Sequence, residues 1–250
     1  MLKLSPTKIN TYLNCPFKYK CDCDPELRDK YRKDTPPLVF GSLVHSCLEE
    51  FYKNVNKEER SVEKLRELFE KKFKDRWEQK YKNVFSSKQE IVTYIEKAKD
   101  IFENFAESEF FEKEPIMVEE YPKYSLKDNL EIRGKFDRVD QEDGKVTIID
   151  YKTGKFRKNR ISTFQIDFYE LLLDRAYPDY EIKEKILYYL SQNKVLRYKA
   201  DQEKLPKIEE KIVKVAETIK KDREFNPNPN PLCPYCNYRE ICPAFKNEKD

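Results

Sequence analysis

The sequence predicts an α/β or α+β fold with a central mixed β-sheet flanked by helices. Two observations lead there. Helix-periodic segments come first, then strand-like runs, a helix, a strand pair and a closing helix, with no internal repeat. Between two of the strand-like runs stands Asp143-Gly144, the strongest short hairpin signal. With 250 residues, the chain is long enough for one large domain with a helical insertion.

The elements follow in order. "SPTKINTYLNCPFKYK" (5–20) opens with a Ser cap and a Pro at the first helical position, then keeps helical apolar spacing. "PPLVFGSLVHSCLEEFYKNV" (36–55) reads as a helix begun by prolines. Residues 61–83 and 87–111 are long, charged and helix-periodic. Strands are expected at 116–126, 130–140 and 145–151, then a helix at 162–176. A hairpin over 185–200 and a charged helix over 203–222 come next. "NPNPNP" (226–231) is a stiff linker that excludes helix, and it leads into "LCPYCNYREICPAF" (232–245). The expected division is a single domain over 1–250. It comprises N-terminal helices (1–55), a helical insertion (56–112), a core (113–200), and a C-terminal helix with a cysteine module (201–250).

Fifty basic and 47 acidic residues leave a net charge of +3, so nucleic-acid binding requires a local patch. Charged residues make up 39% of the chain, which implies a strongly charged, solvated surface. No apolar run reaches the length of a membrane span, and the start lacks a signal-peptide pattern. The expected location is intracellular, in the cytoplasm. There are only four glycines, and three of them (Gly134, Gly144 and Gly154) lie in or beside the central hairpin.

That hairpin brings two aspartates together. If Asp143-Gly144 forms the turn, Asp137 faces Asp150 with Cβ atoms about 5 Å apart. Like charges across a ladder repel unless a cation lies between them. In "IIDYKTGK" (148–155), Asp150 and Lys152 are two apart and share a strand face. Two carboxylates and an ammonium at one sheet end suit Mg²⁺ or Mn²⁺, which prefer hard oxygen ligands. The lysine can orient or deprotonate a water and steady developing phosphorane charge. The alternative is a solvent-exposed hairpin edge on which Lys152 screens the aspartates.

His45 is the chain's one histidine and lies at the edge of an apolar helical stripe made by Phe40, Leu43, Val44, Cys47, Leu48 and Phe51. It fits a half-buried structural role or a metal ligand equally. Gly41 leaves room one turn earlier. The loop "KTGKFRKNR" (152–160), with Lys155 and Arg157, has five cations in nine residues. It would hold a phosphate backbone, or simply be solvated. Gln165 and Tyr169 are one helical turn apart on one side of their helix.

Cys233, Cys236 and Cys242 form C-x₂-C-x₅-C, one ligand short of a complete soft-metal site. Cys15 is a natural fourth, with Cys21 and Cys23 as competitors. Thiolates at this spacing select Zn²⁺ or an iron–sulfur cluster, and the spacing does not choose between them. Cys47 belongs to the apolar stripe and reads as core.

Taken together, "GSLVH" (41–45), "GKFDRVD" (134–140), "IIDYKTGK" (148–155), "QIDFY" (165–169) and the cysteine set resemble the PD-(D/E)XK nuclease superfamily. The resemblance is to its RecB-like branch with an iron–sulfur cluster, which includes the AddB nuclease domain and CRISPR-adaptation nucleases. It runs from residue 4 to 245, and the stretch near 56–112 looks like an insertion.

The resemblance implies a restriction-endonuclease-like core and a role for each matched position. His45, Asp137, Asp150 and the backbone carbonyl of Tyr151 would bind the divalent metal. Lys152 would position the attacking water, with Asp137 and Asp150 as its catalytic partners. Gln165 and Tyr169 would contact DNA or support the site. A further acidic ligand would be Glu119 or Glu120. Cys15, Cys233, Cys236 and Cys242 would hold a structural [4Fe–4S] cluster.

The expected activity is a Mg²⁺- or Mn²⁺-dependent deoxyribonuclease acting on DNA ends or single strands. Its expected setting is repair, recombination, phage replication or CRISPR adaptation, with a helicase or integrase partner and no membrane. The rival readings are an inactive DNA-binding or scaffold module with a structural cluster, and a zinc-stapled RNA-processing factor.

Overall fold

The computed structural model of the chain describes residues 1–77 and 81–249, with the side chains of residue 160 and residues 247–249 outside that description. The first elements are β1 (Leu2–Leu4), α1 (Pro6–Asn14), α2 (Pro16–Cys23), α3 (Pro25–Tyr31), α4 (Pro36–Asn54), α5 (Val62–Arg76) and α6 (Lys88–Ala106). Next come β2 (Pro115–Glu120), β3 (Lys123–Lys127), β4 (Leu130–Arg133), β5 (Phe136–Glu142) and β6 (Lys145–Lys152). The last are α7 (Phe164–Ala176), β7 (Glu181–Tyr189), β8 (Lys194–Lys199) and α8 (Leu205–Lys221). Part of the expected 61–83 helix, residues 78–80, lies outside the described residues.

The elements form two compact units. One holds Met1–Lys33, Lys123–Gly134 and Glu203–Asp250; the other holds Asp34–Pro122 and Lys135–Gln202. The mixed α/β fold is as expected, but the strands make two sheets. The expected strand over 116–126 is interrupted at Tyr121-Pro122, where proline has no N–H for a ladder. The one over 130–140 is interrupted at Gly134-Lys135. The halves belong to different sheets.

In the first unit, a three-stranded sheet runs β1-β4-β3, with β1 parallel to β4 and β3 antiparallel to it. The helix expected over 5–20 is two helices. Ser5 caps α1 by accepting the Lys8 N–H at 3.3 Å. The helix stops because Pro16 forces the residue before it out of the α region, leaving Cys15 extended at φ −163° and ψ 104°. The short α3, unforeseen in the sequence, starts where Asp24 Oδ1 accepts the N–H groups of Glu26 and Leu27. Helix α8 buries Ile212, Val215, Ala216 and Ile219, and the Tyr12 hydroxyl donates to Asp222 Oδ2 at its end, 2.8 Å away.

The second unit is built on the sheet β2-β5-β6-β7-β8. Strands β6 and β7 are parallel and joined through α7; the other neighbours are antiparallel. Asp143 and Gly144 both have positive φ, 51° and 77°, as a two-residue type I′ turn requires. The expected register follows, from Glu142↔Lys145 to Arg138↔Ile149. Helices α5 and α6, from the stretch read as an insertion, are part of the core. Leu65 and Phe69 of α5 and Phe102 and Phe105 of α6 pack with Phe40 and Phe51 of α4 and with Ile149, Tyr151, Ile186 and Tyr188 of the sheet. No described helix is long and apolar enough to cross a membrane.

Candidate active site

The site lies in the second unit, at the open end of the β5–β6 hairpin. Past the Arg138↔Ile149 pair, Asp137 and Asp150 are next in register. Asp137 Oδ2 accepts the backbone N–H of Tyr151 at 2.8 Å, and its Oδ1 lies 3.2 Å from His45 Nδ1. The same imidazole nitrogen is 3.3 Å from Glu119 Oε1. One ligand atom each from His45, Glu119 and Asp137 lie within 4.8 Å of one another, a geometry that could hold a metal ion.

Two local features aim these side chains. Gly41 lets α4 approach the end of β6: a Cβ there would meet Thr153 Oγ1 at 3.1 Å. Glu119 has a left-handed backbone, φ 53°, a conformation costing on the order of 1–2 kcal/mol for a residue with a Cβ. It stands level with Asp137, between the pairs Val118↔Arg138 and Glu120↔Phe136. Met117, Val118 and Glu119 are all buried while Glu120 is exposed. Of the two acidic residues left open by the sequence, Glu119 is therefore the one in the site.

Asp150 is nearly fully buried. The Lys152 ammonium pairs with its Oδ2 at 2.5 Å, yet that oxygen has no hydrogen-bond partner with good geometry. Burial pushes the Asp150 carboxyl up to about 6, with Lys152 pulling it down and Asp137 pushing it further up. Burial alone would lower the His45 imidazole, but Asp137 and Glu119 outweigh it and raise it to about 10. This shift favours the imidazolium form, whose Nδ1 faces both carboxylates.

Lys152 Nζ donates to Gln165 Oε1 at 2.9 Å, and Gln165 Nε2 donates to the Tyr169 hydroxyl at 3.0 Å. Tyr169 packs its ring against Phe136, centroids 5.3 Å apart. Thus His45, Asp137, Asp150, Lys152, Gln165 and Tyr169 come together in one unit. Lys155 and Arg157 are exposed on the loop after β6.

The second cluster lies in the first unit. Cys15, Cys233, Cys236 and Cys242 line one small cavity with Pro227, Pro229 and Phe245. Cys15 Sγ accepts the Asn228 N–H at 3.5 Å, and Cys233 Sγ accepts the Asn230 N–H at 3.2 Å. Burial pushes the Cys242 thiol up, and the three other sulfurs add to this. Among the described residues, no three cysteine sulfurs lie within 4.8 Å of one another. Cys21 is buried and Cys23 exposed outside this set, while Cys47 is in the core as expected.

A mixed sheet whose open end gathers three carboxylates, an imidazole and an ion-paired lysine defines an α/β protein with a candidate metal site. The chain belongs to the PD-(D/E)XK nuclease superfamily, whose family model matches residues 3–243. Membership implies a metal-dependent nuclease. Seventeen solved chains match; one, described as "Crystal structure of SSO0001", is 22% identical, covers 83% of this chain and 97% of that chain, and has a TM-score of 0.40. No curated protein matches.

Proposed function

We propose that this protein is a Mg²⁺- or Mn²⁺-dependent deoxyribonuclease that hydrolyses phosphodiester bonds at DNA ends or in single strands. The observation that supports this most is the His45–Glu119–Asp137 group, with one ligand atom each within 4.8 Å of one another, beside the buried Asp150 carboxylate and its ion partner Lys152. Carboxylates gathered this closely repel one another, and a further cation among them offsets that repulsion.

In the metal-free site, Asp137 and Glu119 each have one oxygen tied down. Tyr151 N–H holds Asp137 Oδ2, and Lys135 holds Glu119 Oε2. His45 Nδ1, Glu119 Oε1 and Asp137 Oδ1, with Asp150 and the Tyr151 carbonyl, would hold the metal. When bound, the metal would polarise a phosphoryl oxygen and ease ionisation of water. Lys152 orients the attacking water opposite the 3′-oxygen. The P–O3′ bond breaks as the new P–O bond forms; the water's proton passes to solvent and the 3′-oxygen takes one up, leaving a 5′-phosphate and a 3′-hydroxyl. Tyr169 takes the Gln165 amide N–H, so the Gln165 oxygen faces Lys152 and fixes its ammonium. Lys155 and Arg157 would hold the DNA backbone. Repair, recombination, phage replication or CRISPR adaptation would use such an activity, beside a helicase or integrase.

Cys15, Cys233, Cys236 and Cys242 hold a structural [4Fe–4S] cluster in this reading. The backbone N–H groups on Cys15 and Cys233 are of the kind that surround cluster sulfurs.

The test is cleavage of end-labelled single- and double-stranded DNA with Mg²⁺, Mn²⁺ or EDTA by anaerobically purified protein. Metal-dependent cutting that is absent in Lys152→Ala supports the reading, and the product ladder gives polarity. A folded, cluster-loaded wild type that binds DNA without cutting would instead mark a binding or scaffold module.

A further inference from the structure

Lys135 immediately precedes β5 and lies two residues from Asp137, so the two side chains share a face. Its ammonium is ion-paired with Glu119 Oε2. The Lys135 side chain is 50% exposed, that of Glu119 only 4%. Glu119 therefore divides its oxygens: Oε1 faces His45 and Oε2 faces Lys135. After Glu119, the carboxylates acting on Lys135 are Glu49 of α4 and then Asp137.

The formal charges of the site do not balance for a metal-loaded state without substrate. With His45 neutral as a metal ligand, and counting only groups in direct contact with the site, Glu119, Asp137 and Asp150 against Lys135 and Lys152 leave one net negative charge. A divalent cation turns this into one net positive charge. A single phosphodiester restores neutrality. The cation also competes for Glu119 with twice the charge of an ammonium. Lys135 is the cation free to yield, because its head is reachable by solvent and its stem is long and rotatable. Lys152, by contrast, is held by both Asp150 and Gln165.

We propose that Lys135 is a phosphate-binding residue of the nuclease site. It rests on Glu119 while the site lacks metal and turns to a substrate phosphodiester oxygen once a divalent cation takes that carboxylate. This inference rests on the nuclease reading above.

The experiment compares wild type, Lys135→Met and Lys135→Arg for binding to a short single-stranded oligonucleotide across a salt series. It is run once in Ca²⁺, with intact DNA checked on a gel, and once in EDTA. One lost phosphate contact reduces the slope of log affinity against log salt by about 0.7 on single strands. The expected result is that loss for Lys135→Met in Ca²⁺ only, coincident slopes in EDTA, and a wild-type slope for Lys135→Arg. Mn²⁺ titrated without DNA should bind Lys135→Met more tightly than wild type, since the competing ammonium is gone. Equal slope loss in both conditions makes Lys135 an ordinary surface cation and overturns the proposal. Unchanged slopes in both conditions, with wild type binding Mn²⁺ and cutting DNA, overturn it as well. A wild type that neither binds Mn²⁺ nor cuts overturns the nuclease reading itself.

Discussion

Asp137 and Tyr151 are joined across the hairpin: the Asp137 carboxylate accepts the Tyr151 backbone N–H at 2.8 Å. One aspartate is thereby fixed to the strand that bears the other, next to Asp150. The bond uses one oxygen and leaves Oδ1 facing His45. Asp137→Ala should remove both functions. Calorimetric Mn²⁺ binding should disappear, and stability should fall by about 1.5–3 kcal/mol, the range for a hydrogen bond to a charged group. Wild-type Mn²⁺ affinity in the variant would take Asp137 out of the metal group.

The chain Lys152–Gln165–Tyr169 predicts graded kinetics. Lys152→Ala should keep its fold and lose cleavage. Gln165→Ala should retain Mn²⁺ binding but lower kcat by about 10–100-fold, as for partners that orient a working group. Tyr169→Phe should cost less, because only the amide orientation loosens. Single-turnover cleavage reads all three, and a Lys152→Ala variant cutting at the wild-type rate would refute the assignment.

His45 gives the metal-free protein a pH signature. Its folded imidazole is raised to about 10 against an ordinary value of 6.5. The folded state therefore holds the proton more tightly. That stabilisation is complete below 6.5 and is lost as pH rises through about 10. In EDTA, the melting-temperature advantage of wild type over His45→Gln should shrink steadily from pH 6.5 to 10. A gap independent of pH across that window would contradict the imidazolium bridge.

The cysteine assignment predicts metal content. Anaerobic wild type should contain about four iron atoms per chain with matching sulfide. Cys15→Ser, Cys236→Ser or Cys242→Ser should lose them, while Cys21→Ser should not. Stoichiometric zinc in place of iron, measured by elemental analysis, would select the other thiolate site.

Gly41 predicts a remote effect. Gly41→Val places a branched side chain where even a Cβ meets Thr153 Oγ1 at 3.1 Å. The cost should be about 1–3 kcal/mol, the usual range for overpacking. Cleavage should slow beyond the loss of folded protein, because Thr153 directly follows Lys152. Wild-type melting and cleavage would show that α4 has slack at this contact.

The hairpin register was legible because Asp-Gly fixes a two-residue turn and strand side chains alternate strictly. Six positions, His45 through Tyr169, could be placed by motif and now lie together. Glu119 could not be separated from Glu120, since Met117 and Val118 before them are both apolar and mark neither face as the inner one. The break at Cys15 is a local effect of Pro16 that helical periodicity on both sides conceals. The division into two sheets was invisible, because each interrupted strand keeps a plausible pattern across the break. Lys135 drew no notice in the sequence; only the position of Glu119 gives it a partner.

The His45–Glu119 contact spans 74 residues, whereas the Asp137–Tyr151 bond spans 14. Closing the longer loop costs more chain entropy, so the hairpin half of the site can assemble well before the metal group is complete. During synthesis, His45 leaves the ribosome long before Glu119, and Gln165 and Tyr169 follow later still. A nascent or proteolysed chain ending before Tyr169 lacks part of the set that fixes Lys152. The complete set of residues around Lys152 is therefore present only late in synthesis.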